Sequence, residues 1–169
     1  CRTAEDLEAG PGALLLDAEN ILASLDLYQR LGLPISVSEI TVPGYDLVED
    51  GEGFQAEVVE RLYRLWFSHP AVESIVWWNL VDGTAAFAPR NTREGENVFQ
   101  AGLVAYDMAP KRAYDVLDRL IRREWRTDCT MDYADGADNR FRGFYGTYDV
   151  EVDSPAGRTS RQVRLDRPD

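Results

Sequence analysis

Cysteine, histidine and lysine are nearly missing from these 169 residues, and positive charge is scarce. Two cysteines, Cys1 and Cys129, are too few for a disulfide framework. With the single His69 they fall short of a zinc ligand set, so no metal is expected. Eighteen basic residues against 30 acidic ones leave a formal net charge of −12. That balance excludes the basic face a phosphate backbone requires, so no nucleic-acid partner is expected, whereas a neutral glycan is compatible with it. No apolar run approaches the roughly 20 residues of a membrane-spanning helix, and no membrane partner is expected. An initiator Met is also lacking: the chain opens on Cys1, which suggests a piece of a longer protein and leaves secretion undecided by any leader.

What is present reads as a folded domain, with 44% hydrophobic residues and no low-complexity tract. A chain of this length buries roughly 70% of its unfolded surface, enough for a core. After an irregular start over 1–12, Ile21, Leu22, Leu25 and Tyr28 recur at helical spacing within 14–31, and Gly32 is the expected stop. A strand over 33–40 follows directly, then a Gly-rich acidic loop over 41–53. Phe54, Val58, Leu62, Leu65 and Trp66 predict a helix over 52–68 that ends at His69-Pro70, because the residue before proline leaves the helical region. His69 is read as a capping residue there.

Residues 74–80 form an apolar run expected to be a parallel strand covered on both faces. A long polar loop leads to a helix over 110–123, opened by Pro110, with Tyr114, Leu117, Leu120 and Ile121 expected on its buried side. From Glu124 the period changes to two: strands are expected over 127–133, 141–152 and 160–165, with turns at Asp135-Gly136 and Pro155-Ala156-Gly157. The chain therefore reads as an α/β body, 1–123, and a β-rich extension, 124–169, forming a small antiparallel sheet. Long loops leave the C-terminal ends of both body strands, the arrangement of the active-site face of a (β/α)₈ barrel. Such a barrel takes about 250 residues, so two strands and three helices amount to a portion of one.

Three motifs specify which barrel. Leu33-Pro34-Ile35-Ser36-Val37-Ser38-Glu39-Ile40 resembles the nucleophile strand of glycoside hydrolase family 10, the endo-1,4-beta-xylanase family. Trp78-Asn79-Leu80-Val81-Asp82 is similar to that family's Trp-Gly-x-x-Asp on the last barrel strand, and Pro110-Lys111-Arg112-Ala113-Tyr114, preceded by Gly102-Leu103, to the Pro-Lys-x-Ala-Tyr opening its last helix. They occur in family order over about 14–123. The resemblance implies the C-terminal portion of a (β/α)₈ TIM barrel whose whole hydrolyses internal β-1,4 bonds of xylan with retention, without a cofactor. It implies a polysaccharide partner, and hence a secreted protein. Ser38, Thr41, Asn79 and Ala86 depart from the family pattern around the sugar pocket, and the family's upstream Asn-Glu-Pro and Gln-x-His strands are not found.

By the resemblance, Glu39 is the nucleophile, which needs a protonated carboxyl about 5 to 5.5 Å away to complete a retaining pair. Strand alternation sets Ile35, Val37 and Glu39 on one side; read from the residues alone, a rim carboxylate in a salt bridge is the alternative. Trp78 is the candidate sugar platform because an aromatic face matches the C–H face of a pyranose. Alternation then sends Trp77 to the layer between strands and helices. Asp82 either orients a pocket group or caps a loop, and Phe87 either closes over the sugar or packs down. Glu49, Asp50 and Glu52 read as a solvated acidic loop. The aromatics of the extension suit a carbohydrate surface or a covering hairpin, the structural role being favoured.

Overall fold

The computed structural model describes residues 11–44, 49–137 and 139–166. The start over 1–10 and the middle of the loop after the first strand lie outside those residues. Two compact units are present, Cys1–Asp118 and Arg119–Asp169.

The first unit opens with α1 (Pro11–Leu16) and α2 (Ala18–Gln29) where the sequence predicts one helix. The break is at Asp17, whose extended backbone and Oδ1, accepting from Asn20 N at 2.7 Å, make it the N-cap of α2. Gly32 ends the segment at φ +67, as its type predicts. Strand β1 (Ile35–Ile40) follows, then α3 (Gly51–Ser68), then β2 (Val72–Trp77). β1 and β2 pair in parallel, the geometry of a βαβ unit. His69 caps the end of α3 and is buried, its Nδ1 accepting from Ala71 N and its Nε2 donating to Asp26 Oδ1 at 3.2 Å.

The strands are less covered than the apolar run 74–80 predicts. α2 packs on β1 and α3 on β2, but Val76 remains 50% exposed. A two-stranded sheet with helices on one side cannot enclose both faces. Strand β2 also stops at Trp77, three residues before the predicted end, because Asn79 takes a left-handed conformation, φ +58.

The loop after β2 contains a 3₁₀ turn (Gly95–Phe99) before α4 (Arg112–Arg119), which runs into a π-helical turn (Leu120–Glu124). α4 starts two residues later than Pro110 predicts: Pro110 bridges Val104, and Lys111 N donates to Leu103 O rather than opening the helix. Its buried stripe is Ala113, Leu117 and Leu120; Tyr114 and Ile121, expected inside, are exposed. Spacings of four and three residues define that stripe, and Tyr114 and Ile121 each lie one position beyond it.

In the second unit, β3 (Gly146–Ser154) and β4 (Gly157–Leu165) form an antiparallel hairpin across the two-residue turn Pro155-Ala156. The expected third strand over 127–133 is irregular, as are residues 141–145. Here the side chains form local contacts instead of a ladder: Thr127 Oγ1 bonds Phe144 N and Tyr148 Oη, and Phe141 meets Tyr148 edge-on at 5.8 Å.

Of the acidic residues expected to be solvated, Glu49 and Glu52 are exposed, whereas Asp50 has a structural role. Asp50 is its N-cap, Oδ1 accepting from Gly53 N at 3.0 Å, while Oδ2 pairs with Arg112 at 2.5 Å. Those contacts, the backbone bond first, hold its carboxyl below the ordinary value of 3.8. A depressed folded-state value contributes stability that is present above 3.8 and lost as pH falls through the folded value. Asp50→Asn is thus expected to melt below the parent at pH 6, with the gap closing in acid; a gap in melting temperature that stays constant down to pH 2 contradicts this role.

Candidate functional site at the ends of the parallel strands

Glu39 lies at the C-terminal end of β1, but not by simple alternation. The β1–β2 register shifts between Val37 and Ile40, and Glu39 sits in that bulge at φ +56. A bulge re-aims one side chain at the end of a strand, so bulge geometry, not parity, sets where Glu39 points. A left-handed non-glycine residue costs on the order of 1–3 kcal/mol, a strain met at functional sites more often than elsewhere. The carboxylate is exposed, and among the described residues no hydrogen bond or ion pair engages it. The salt-bridge alternative therefore has no partner among them.

Trp78 is brought alongside Glu39 by the backbone, since Trp78 N donates to Ile40 O at 2.9 Å. Its indole is 39% exposed. Trp77 turns the other way: its ring lies 6.5 Å from that of Tyr63 on α3, and its Nε1 donates to Ala101 O. Burial pushes the Tyr63 phenol up to about 12. Trp78 Nε1 and Asn79 Nδ2 both donate to Glu96 Oε2, each at 3.0 Å. Glu96 escaped the sequence reading because it belongs to no motif and lies 17 residues from its nearest partner; no periodicity signals such a pairing.

Asp82 faces inward. Its Oδ1 accepts from Gly102 N at 2.7 Å and its Oδ2 pairs with Lys111 Nζ at 2.9 Å. Lys111, the only lysine, is 4% exposed and also donates to Gln100 O. Asp82 thus acts on the loop framework, and both carboxylate oxygens are committed. Gly102 is required there, since a Cβ would come within 2.4 Å of Asp82 N. Gln55, fully buried on α3, ties the two loops together through Val42 O and Gly102 O.

Phe87 is fully exposed in the loop after β2, at φ +60. It packs on nothing, leaving the packed-down reading unsupported. The arrangement therefore offers a carboxylate without a partner among the described residues, an oriented indole and an exposed aromatic in the loop after β2. It does not enclose a ligand: the cavity bounded by Thr41, Asn79, Glu96 and Gln100 holds about 10 Å³, against roughly 300 Å³ or more for a small-molecule site. A larger cavity of about 620 Å³ lies among Leu15, Ile21, Leu25, Val37, Val58 and Leu62. Its apolar lining marks it as a gap in packing between helices and strands, not a sugar site.

Comparison of folds finds arrangements similar to this parallel βαβ unit in solved structures. The structure matches xylanase 10B from Thermotoga petrophila, a complex with xylobiose, at TM-score 0.53 and 20% identity over 64% of this chain and 32% of that one. It matches the Faecalibacterium prausnitzii beta-glucuronidase at 0.52 and 20% identity, over 70% of this chain and 20% of that one. Sequence relatives narrow the class. Endo-1,4-beta-xylanase 3 of Arabidopsis thaliana is 29% identical over 88% of this chain, and the anti-sigma-I factor RsgI6 of Acetivibrio thermocellus 32% over 90%. No protein-family model matches the chain. The chain is related to the family 10 xylanases and similar to the C-terminal part of their catalytic domain, as its motifs indicate. It spans about 18% of the length of each of those two relatives. No helix among the described residues is long and apolar enough to cross a membrane.

Removing the ammonium from the Asp82 pair leaves a largely buried carboxylate and Gln100 O unmatched. Lys111→Met, which keeps the aliphatic stem, is expected to lower the unfolding free energy by about 3 kcal/mol in urea titration. A loss under about 1 kcal/mol, the worth of a surface pair, contradicts the anchoring role.

Proposed function

We propose that the chain is the C-terminal portion, 1–123, of a (β/α)₈ retaining glycoside hydrolase that cuts internal β-1,4 linkages of xylan, followed by a β-rich extension, 124–169. Glu39 is its nucleophile, Trp78 the platform for the sugar ring, Asp82 the residue that holds the loop beside that platform, and Phe87 an aromatic that closes over the substrate. The observation that carries this reading is Glu39 itself: an exposed carboxylate without a partner among the described residues, held in a strained bulge next to Ile40, whose carbonyl accepts from Trp78 N. Similarity to endo-1,4-beta-xylanases supports xylan as the substrate.

In this mechanism Glu39 attacks the anomeric carbon while a second carboxyl protonates the leaving oxygen, and water then releases the sugar from the enzyme with the same configuration. The 169 residues lack an Asn-Glu-Pro motif to carry that second carboxyl, so they alone do not hydrolyse xylan. Further βα units complete the barrel and cover the open face of β1 and β2. No cofactor enters, and the protein is secreted, because a long glycan is met outside the cell.

A second reading has its own support. The relative RsgI6 is an anti-sigma factor by name, so the similarity is not confined to proteins named as hydrolases; the second reading is a protein that binds the glycan without turning it over. A β-glycanase of another polymer preference is the variant within the enzyme class, favoured by the departures at Ser38, Thr41 and Asn79.

In the full-length protein, Glu39→Gln is expected to cut xylan hydrolysis by on the order of 10³-fold or more while xylan binding persists. Intact activity in that variant removes Glu39 from the nucleophile role. A parent that binds xylan but never hydrolyses it favours the binding reading, and faster hydrolysis of β-glucan than of xylan favours the other polymer. Xylan hydrolysis by the 169 residues alone, abolished by Glu39→Gln, overturns their dependence on a missing acid.

A further inference from the structure

A stacking platform works only if its plane is held, because an indole free to rotate about its side-chain bonds must be ordered again at each binding event. Trp78 is half exposed, at the point where β2 ends, so core packing does not hold it on all sides. What holds it is a single carboxylate oxygen. Glu96 Oε2 accepts from Trp78 Nε1 and from Asn79 Nδ2, both at 3.0 Å. One acceptor thus orients both the ring and the residue that kinks the backbone next to it.

Glu96 is itself anchored. Its neighbour Asn97 is 4% exposed, with Oδ1 accepting from Ala85 N at 2.9 Å and Nδ2 donating to Pro89 O at 3.0 Å. These bonds rivet the 3₁₀ turn to the loop that carries Phe87. The turn ends at Gln100 in a left-handed conformation, which directs the chain toward Lys111 through Gln100 O. The path from the buried Lys111–Asp82 pair to the indole thus runs through Gln100 O, the bond from Gln100 N to Asn97 O and the backbone of the 3₁₀ turn to Glu96.

We infer that Glu96 is a positioning residue for sugar binding: it fixes the plane of the Trp78 platform, and through Asn97 it couples that plane to the loop bearing Phe87. The inference rests on the reading of Trp78 as a sugar platform. It requires an acceptor at the reach of a glutamate or glutamine side chain, not a charge as such.

The test measures two quantities on the chain and its variants. The first is the indole N–H resonance of Trp78, assigned among the four tryptophans by its loss in Trp78→Phe. The second is the dissociation constant for xylohexaose. In Glu96→Ala and Glu96→Asp the Trp78 resonance is expected to move and its solvent exchange to quicken, while those of Trp66, Trp77 and Trp125 stay in place. Affinity is expected to fall about tenfold, or about 1.4 kcal/mol. Glu96→Gln, which keeps an acceptor at the same reach, restores both. An unmoved Trp78 resonance in Glu96→Ala overturns the inference, and so does a moved resonance with unchanged affinity, or failure of the glutamine variant to restore it. If the unsubstituted chain binds no xylohexaose, the affinities are read on the full-length protein carrying Glu39→Gln; no binding there sinks the platform reading, and the Glu96–Trp78 link is then decided by the resonance alone.

Discussion

The loop framework depends on one buried ammonium. Lys111 Nζ reaches from the start of α4 to Asp82 Oδ2 and Gln100 O, and Asp82 in turn takes Gly102 N. A lysine 4% exposed is tolerable only when its charge is matched and its donors used, so the pair dictates the path of every segment that meets it. The loop after β2 must return close enough for Gly102 to touch Asp82, and only a residue without a Cβ can approach that far. Pro110 bridges Val104 instead of starting the helix for the same reason: the chain is held until Lys111 has reached its partners.

That rigid base allows the strand ends above it to carry strain. Glu39, Asn79 and Phe87 are all non-glycine residues with left-handed backbones, the first in the bulge at the end of β1 and the other two in the loop that leaves β2. Each would relax if its surroundings permitted, so the conformations persist because hydrogen bonds on either side over-determine them. Glu96 supplies two of those bonds at Asn79 and Trp78, and the bulge between Val37 and Ile40 holds Glu39. A free carboxylate beside a fixed indole is the chemical outcome.

Much of this was legible in the residues. Helical spacing located α2 and α3, His69-Pro70 marked the end of α3, and Gly32 marked the turn into β1. The motifs around Glu39, Trp78 and Pro110 point to the xylanase relationship by themselves. Three things were not legible. Alternation placed Glu39 on the Ile35 and Val37 side, but a bulge resets alternation and leaves no compositional mark. Period two between 127 and 133 predicted a strand, yet Thr127 spends its hydroxyl on Phe144 N and Tyr148 Oη and no ladder forms. Glu96 gave no signal, because a carboxylate in a polar loop looks like any other until its partners are known.

The amino-acid order by itself determined the local elements, the absence of a disulfide framework, the acidic balance and the family likeness, since each follows from neighbours along the chain or from counts. The tertiary structure alone decided that Lys111, featureless as a lone lysine, is a buried anchor, that Asp82 pairs with it, and that Glu96 accepts from Trp78. The physical reason is range: propensity and periodicity act over a few residues, whereas the bonds at the strand ends and at Trp78 and Asp82 join groups 18 to 38 positions apart (Trp78 N to Ile40 O, 78 − 40 = 38) and exist only once the chain has returned on itself.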